Sequence, residues 1–197
     1  MALKEAKVEG ELYYLIKTIL KRNDYEIHGV EFGDIERQHK VDGGIADLIV
    51  PFSDGKHCLV IECKRKIIKP SGFRTIRDFD VFGSKVINQA LNYAVRLGSR
   101  TFATTNGARL ALFRTPKTGE PFRFDTHRLL VQDPFKLEEK SVEELLDFLA
   151  KWNAGIPVRL VEIDWFFISR LRSFVDFLSK SLRPVTKKLK ADKVFSR

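Results

Sequence analysis

Apolar side chains at Val8, Leu12, Leu15, Ile16, Ile19 and Leu20 recur at three- and four-residue intervals, which predicts an amphipathic helix over 4–22. Residues 25–32 predict a short strand. The segment IADLIVPFSDGKHCLVIECKRK, 45–66, is two apolar runs about a polar break and predicts hairpin strands at about 45–51 and 57–64, with Pro51 ending or bulging the first. Residues 67–82, with Pro70, Ser71 and Gly72, predict a loop. Helical spacing returns over 84–97 through Val86, Ala90, Leu91, Ala94 and Leu97, with Gly98 placed to close the helix. RTFATTNGARLALFR, 100–114, predicts a second hairpin turning at Asn106-Gly107. Ser141 and Glu144 form a capping-box signature opening a helix to about Trp152. The last element, 162–181, carries a wide apolar stripe through Phe166, Phe167, Leu171, Phe174 and Phe177; it is expected to pack on the core, with a dimer or partner contact as second choice.

The order of helix, strands, helix, strands and helices predicts an α/β domain with a mixed sheet and a helical C-terminal extension. The boundary is placed between a core over 1–125 and an extension over 126–197 that ends in a basic tail over 183–197.

At 197 residues the chain can bury a full core, and no stretch reaches the about 18 uncharged apolar residues that a membrane span needs. The N-terminal segment has no apolar run before a small-residue cleavage site, and Cys58 and Cys63 point to opposite strand faces where they cannot bridge each other. The expected setting is cytoplasmic, without a membrane. The formal charge of +9 is uneven: Lys64, Arg65, Lys66, Lys69, Arg74 and Arg77 follow one another with no acid between them. Such a cluster attracts phosphate backbones, so DNA is the expected partner and Arg65 and Lys66 are candidate contacts.

Each apolar run of the first hairpin carries one acid. Asp54-Gly55 is the dipeptide favoured at the centre of a two-residue turn. Counting outward from it sets Asp47 across from Glu62, and period-2 alternation adds Lys64 to the same face. Opposed side chains lie roughly 5 Å apart at Cβ, where like charges repel. A divalent metal between the two carboxylates resolves that repulsion.

Asp47, then Glu62-Cys63-Lys64 at the end of an apolar strand, following a helix that bears Glu9, resembles the PD-(D/E)xK nuclease superfamily. More narrowly, VIECKRK, then NQALNYA in a helix, then ATTNG after the next strand resembles the N-terminal nuclease domain of type I restriction enzyme motor subunits, over about residues 5–115. The resemblance implies a restriction-endonuclease-like mixed sheet flanked by helices and a metal-dependent DNA endonuclease, in a restriction or defence system. It implies Asp47 and Glu62 as ligands of Mg²⁺, with Mn²⁺ able to substitute, helped by the backbone carbonyl of Cys63. Lys64 would orient or deprotonate the attacking water and stabilise charge on the phosphate, and Glu9 would hold water at the metal, with Glu5 and Glu11 as competing helix acids. Gln89 and Tyr93, one turn apart on a helix, would border the site and contact substrate. Ala46 departs from the family's pattern, standing where the superfamily's name has Pro.

The alternative is a catalytically inactive nucleic-acid-binding or assembly subunit of the same fold, and a homodimer or a place in a larger restriction complex fits either reading. Thr104, Thr105 and Asn106 are read as turn residues, and Cys63 as a small buried apolar side chain rather than a nucleophile. The four histidines lack zinc or triad spacing, and no Walker-type loop is present.

Overall fold

The computed structural model describes residues 5–53, 55, 57–64 and 81–158. The chain divides into two units, Met1–Arg159 and Leu160–Arg197, and the described residues all belong to the first. The predicted element at 162–181 and the basic tail lie outside them.

Helix α1 (Glu5–Arg22) forms as its spacing dictates, burying Val8, Leu12, Ile16, Ile19 and Leu20 on one stripe. Each such side chain contributes about 2 kcal/mol on leaving water. The stretch read as one strand is instead a small hairpin, β1 (Glu26–Ile27) and β2 (Val30–Glu31), turning at His28 and Gly29, whose φ of 52° and 73° are both positive. Two left-handed residues make the tight turn favoured between antiparallel strands, and His28 gave no glycine- or asparagine-like signal for the first of them.

A six-stranded mixed sheet follows, in the order β3-β4-β5-β6-β7-β8, from β3 (Glu36–Val41), β4 (Gly44–Pro51), β5 (His57–Cys63), β6 (Thr101–Thr105), β7 (Leu110–Arg114) and β8 (Arg128–Gln132). Only β5 and β6 pair parallel; α2 (Ser84–Arg96) lies in the connection between them, and every other pair is antiparallel. The sequence reading missed β3 because ERQHKV is an edge strand with mostly exposed side chains and offers no apolar alternation.

Alternation within the strands divides the core into two layers. Leu59, Ile61, Cys63, Ala103, Leu110, Leu112 and Leu130 pack with α1 and with α4 (Glu139–Asn153). Val60, Phe102, Ala111, Phe113 and Val131 pack with α2 through Ile87, Ala90, Tyr93 and Ala94. The short α3 (Phe124–His127) leads into β8. This is the expected mixed sheet flanked by helices, and β8 and α4, which the sequence boundary had assigned to an extension, are integral to it. Helix α4 begins two residues ahead of Ser141, with Glu138 at its N-cap and no side-chain cap bond.

The β3–β4 turn is pressed onto α2. A Cβ at Gly44 would stand 2.3 Å from the Tyr93 hydroxyl, and one at Gly43 would stand 3.1 Å from the Arg96 guanidinium, which donates to the Asp42 carbonyl. Gly44→Ala is expected to lower stability by about 1–3 kcal/mol in urea unfolding, the range for overpacking a close contact. Most of that loss should vanish in a Tyr93→Leu background, because the two changes share one contact. A Gly44→Ala midpoint equal to wild type would show that the turn has room to move.

Candidate metal centre

Val50, Ile49 and Leu48 pair with Leu59, Val60 and Ile61, and the next step on that register is Asp47 opposite Glu62. The pairing is the one expected by counting from Asp54-Gly55, although the two-residue turn is not what forms: Pro51 pairs with His57, one residue out of that register, and a shift at Val50/Pro51 restores it. Gly55 has the positive φ, 78°, that the turn requires; Asp54 and Lys56 lie outside the described residues.

Glu62 follows Val60 by two residues, so it enters a strand whose neighbours are all buried, and it is only 1% exposed. Asp47 Oδ2 accepts a 2.7 Å hydrogen bond from the Cys63 N–H, tying its carboxylate to β5. The Lys64 N–H donates to the Thr105 carbonyl at 2.7 Å, which continues the parallel ladder past the end of β5 and holds Lys64 extended. Its ammonium then reaches Glu62 Oε1 at 2.5 Å and Glu5 Oε1 at 3.3 Å.

Glu5, Asp47 and Glu62 bring carboxylate oxygens within 4.8 Å of one another. Three carboxylates face one ammonium, and two of them, buried Glu62 and half-buried Asp47, are also desolvated. Burial pushes the Asp47 carboxyl up to about 6, against the opposing pull of the Cys63 N–H and Lys64. Burial and then the Asp47 charge push Glu62 up to about 7, against its bond to Lys64. Burial alone would lower the Lys64 pKa, but the bond to Glu62 and the surrounding carboxylates carry it above the ordinary value, so Lys64 is a fixed cation. Glu62 Oε2 is buried with no hydrogen-bond partner. An orphaned carboxylate oxygen among three converging carboxylates is a donor set for a hard divalent cation, and these residues fit Mg²⁺ or Mn²⁺.

The helix acid whose oxygens join this cluster is Glu5, while the charge of Glu9 also acts on Asp47. Glu9, four residues on and on the same face of α1, is 3% exposed, and both its oxygens are taken: Oε1 by Arg37 Nε at 2.9 Å and Oε2 by Gln38 Nε2 at 2.7 Å. Glu11 is half-buried and pairs with Lys7. Helical spacing alone leaves Glu5 and Glu9 equivalent, and only the position of β3 separates them. Cys63 is fully buried among the α1-side apolar residues, and burial pushes its thiol well above the ordinary range, which suits a packing role.

Gln89 and Tyr93 do share one face of α2, with the Gln89 amide 3.4 Å from the Tyr93 hydroxyl. They line a cavity of about 380 Å³ with Asp42, Gly43, Lys85, Asn88, Asn92 and Arg96, and Tyr93 is buried against Gly44. Their described contacts run to each other and to the β3–β4 turn rather than to Asp47 or Glu62. Thr105 and Asn106 serve the β6–β7 turn: Thr105 Oγ1 bonds the Arg109 carbonyl, and Asn106 Oδ1 accepts from the N–H groups of Ala108 and Arg109. Thr104 Oγ1 bonds the Val81 carbonyl. Arg65 and Lys66 lie outside the described residues.

Because the folded protein holds protons on Asp47 and Glu62 that the unfolded chain releases near pH 4, these groups penalise the fold above about pH 7, and the penalty disappears on acidification. Glu62→Gln should therefore stabilise the metal-free protein at pH 8 and leave it nearly unchanged at pH 4.5, measured by urea unfolding. Mg²⁺ competes with those protons, so its stabilisation of wild type should be larger at pH 8 than at pH 5.5. An equal Mg²⁺ effect at both values would remove these carboxylates from the ion's ligands.

No family model and no curated protein matches the chain. Among solved structures it is similar to the type IIG restriction endonuclease BpuSI, with 16% identity and a TM-score of 0.41, over 75% of this chain and 16% of that one.

Proposed function

We propose that the chain is a metal-dependent deoxyribonuclease that hydrolyses DNA phosphodiester bonds, acting as an endonuclease in a restriction or defence system. One observation carries the reading: the oxygens of Glu5, Asp47 and Glu62 converge within 4.8 Å beside the ammonium of Lys64. The order of motifs along the chain supports it as well.

Asp47 and Glu62 would hold Mg²⁺, with Glu5 as the third carboxylate and the Cys63 carbonyl as a further oxygen. The ion supplies Lewis acidity toward a phosphoryl oxygen and toward water. Asp47 is kept in place by the Cys63 N–H, and Glu62 by its buried strand position. Lys64, a cation at neutral pH, is suited to stabilise negative charge developing on the phosphate rather than to accept a proton. Its bonds to Glu5 and Glu62 also keep the ligand oxygens close together before an ion enters.

No helix among the described residues is long and apolar enough to cross a membrane. The DNA-binding surface is proposed to include Arg65 and Lys66, which follow Lys64 directly in sequence.

Supercoiled plasmid and linear duplex incubated with Mg²⁺ or Mn²⁺, with an EDTA control, test the reading. Nicking or linearisation should require the metal and should fall by roughly two to three orders of magnitude in Asp47→Ala, Glu62→Ala and Lys64→Ala. Activity at wild-type level in all three would sink the proposal. Binding of metal and duplex by wild type without cleavage would point instead to a nucleic-acid-binding module of the same fold.

A further inference from the structure

Four non-glycine residues among those described have positive φ, and three of them, Asp24, Tyr25 and His28, sit in turns. The fourth, Gln38 at 51°, stands in the middle of β3. A side chain with a Cβ adopts this conformation at a cost, and inside a strand it interrupts the ladder. The pairs of β3 with β4 run Glu36↔Ile49 and Arg37↔Leu48, then His39↔Ala46 and Lys40↔Ile45. The residue skipped is Gln38, and its place in that register is opposite Asp47. Asp47 is thus flanked by Glu62 on one neighbouring strand and by the strained Gln38 on the other.

A distorted edge strand can serve only to prevent edge-to-edge pairing. That role needs no buried charge. Here the carboxylate of Glu9, 3% exposed and balanced by Arg37, comes within 2.7 Å of the Gln38 amide nitrogen. A carboxylate only accepts, so it fixes which end of the amide faces inward: one N–H is spent on Glu9, while the second N–H and the carbonyl oxygen belong to an exposed side chain. Burying Glu9 to aim an exposed neutral amide makes sense where that amide meets a ligand. Beside three carboxylates, an uncharged N–H donor can engage a phosphate oxygen without adding to the negative charge.

We propose that Gln38 is a substrate-contacting residue: its carboxamide, aimed by Glu9, donates to the phosphate backbone of the DNA strand lying over Asp47 and Glu62. The assignment rests on the nuclease reading above and adds to it the residue that registers the strand against the acid pair. Arg37 and Glu9 are positioning residues, acting through Gln38.

Gln38→Gly separates the contact from the fold, because glycine takes a φ of 51° freely. Thermal melts and fluorescence anisotropy of a labelled DNA duplex, with Ca²⁺ in place of Mg²⁺ to hold back turnover, give the two readouts. The variant is expected to bind the duplex about tenfold more weakly, the loss of one hydrogen bond to a charged group, and to melt close to the wild-type temperature, because relief of the positive φ offsets the bond that Glu9 loses. Wild-type affinity in Gln38→Gly would overturn the role of Gln38 and leave the nuclease reading standing. A variant that melts well below wild type and loses duplex binding only in proportion to its unfolded fraction would assign the residue to the fold and overturn the proposal too. Wild-type protein that neither binds duplex nor cleaves plasmid would remove the nuclease reading, and Gln38 with it.

Discussion

Because β5 is covered on both faces, each of its side chains from Leu59 to Cys63 must be buried whichever way it points. Alternation sends Leu59, Ile61 and Cys63 to the α1 and α4 layer, and Val60 to the α2 layer. Glu62 falls on the second set and is carried inside with it. A carboxylate buried by such a strand is costly unless charge or hydrogen bonds compensate it. The rest of the centre can be understood as that compensation: Lys64 against one oxygen, Asp47 and Glu5 close by, and the second oxygen left without a partner.

Helix α1 contributes to the centre in two ways, one turn apart. Glu5, nearer the helix start and partly exposed, meets the ammonium of Lys64. Glu9, one turn deeper, meets β3 and is consumed by Arg37 and Gln38. The difference is one of depth, since the helix runs from an open end toward the covered middle of the sheet. Arg37 also lies over the Tyr13 ring, one turn further along the same face of α1, so two α1 side chains hold its charge while it balances Glu9.

On the opposite layer, α2 fixes β4 from its start. Tyr93 and Arg96 occupy the space that side chains at Gly44 and Gly43 would take, so the helix sets where β4 begins, three residues before Asp47. Asp47 is therefore located by its strand, by the Cys63 N–H, and by the seat of the β3–β4 turn on α2. A helix whose described side-chain bonds do not reach the carboxylates can in this way govern their geometry.

The pairing of Asp47 with Glu62 was legible in the sequence because the turn dipeptide marks where the chain reverses and a period of two sets the face; beside the turn the register is shifted by a bulge at Val50/Pro51, signalled only by Pro51. The burial of the α1 stripe and the turning of the Cys63 side chain into the apolar layer follow from the same local periodicities. Other features depend on which elements become neighbours. β3 was invisible because an edge strand need not carry an apolar face, and β8 and α4 could be assigned to the core only once the sheet had a β7 for β8 to pair with. The choice of Glu5 over Glu9, the turning of Tyr93 toward Gly44, and the standing of Gln38 beside Asp47 likewise lay beyond the sequence. Local spacing determines what shares a face, and only tertiary packing decides what that face meets.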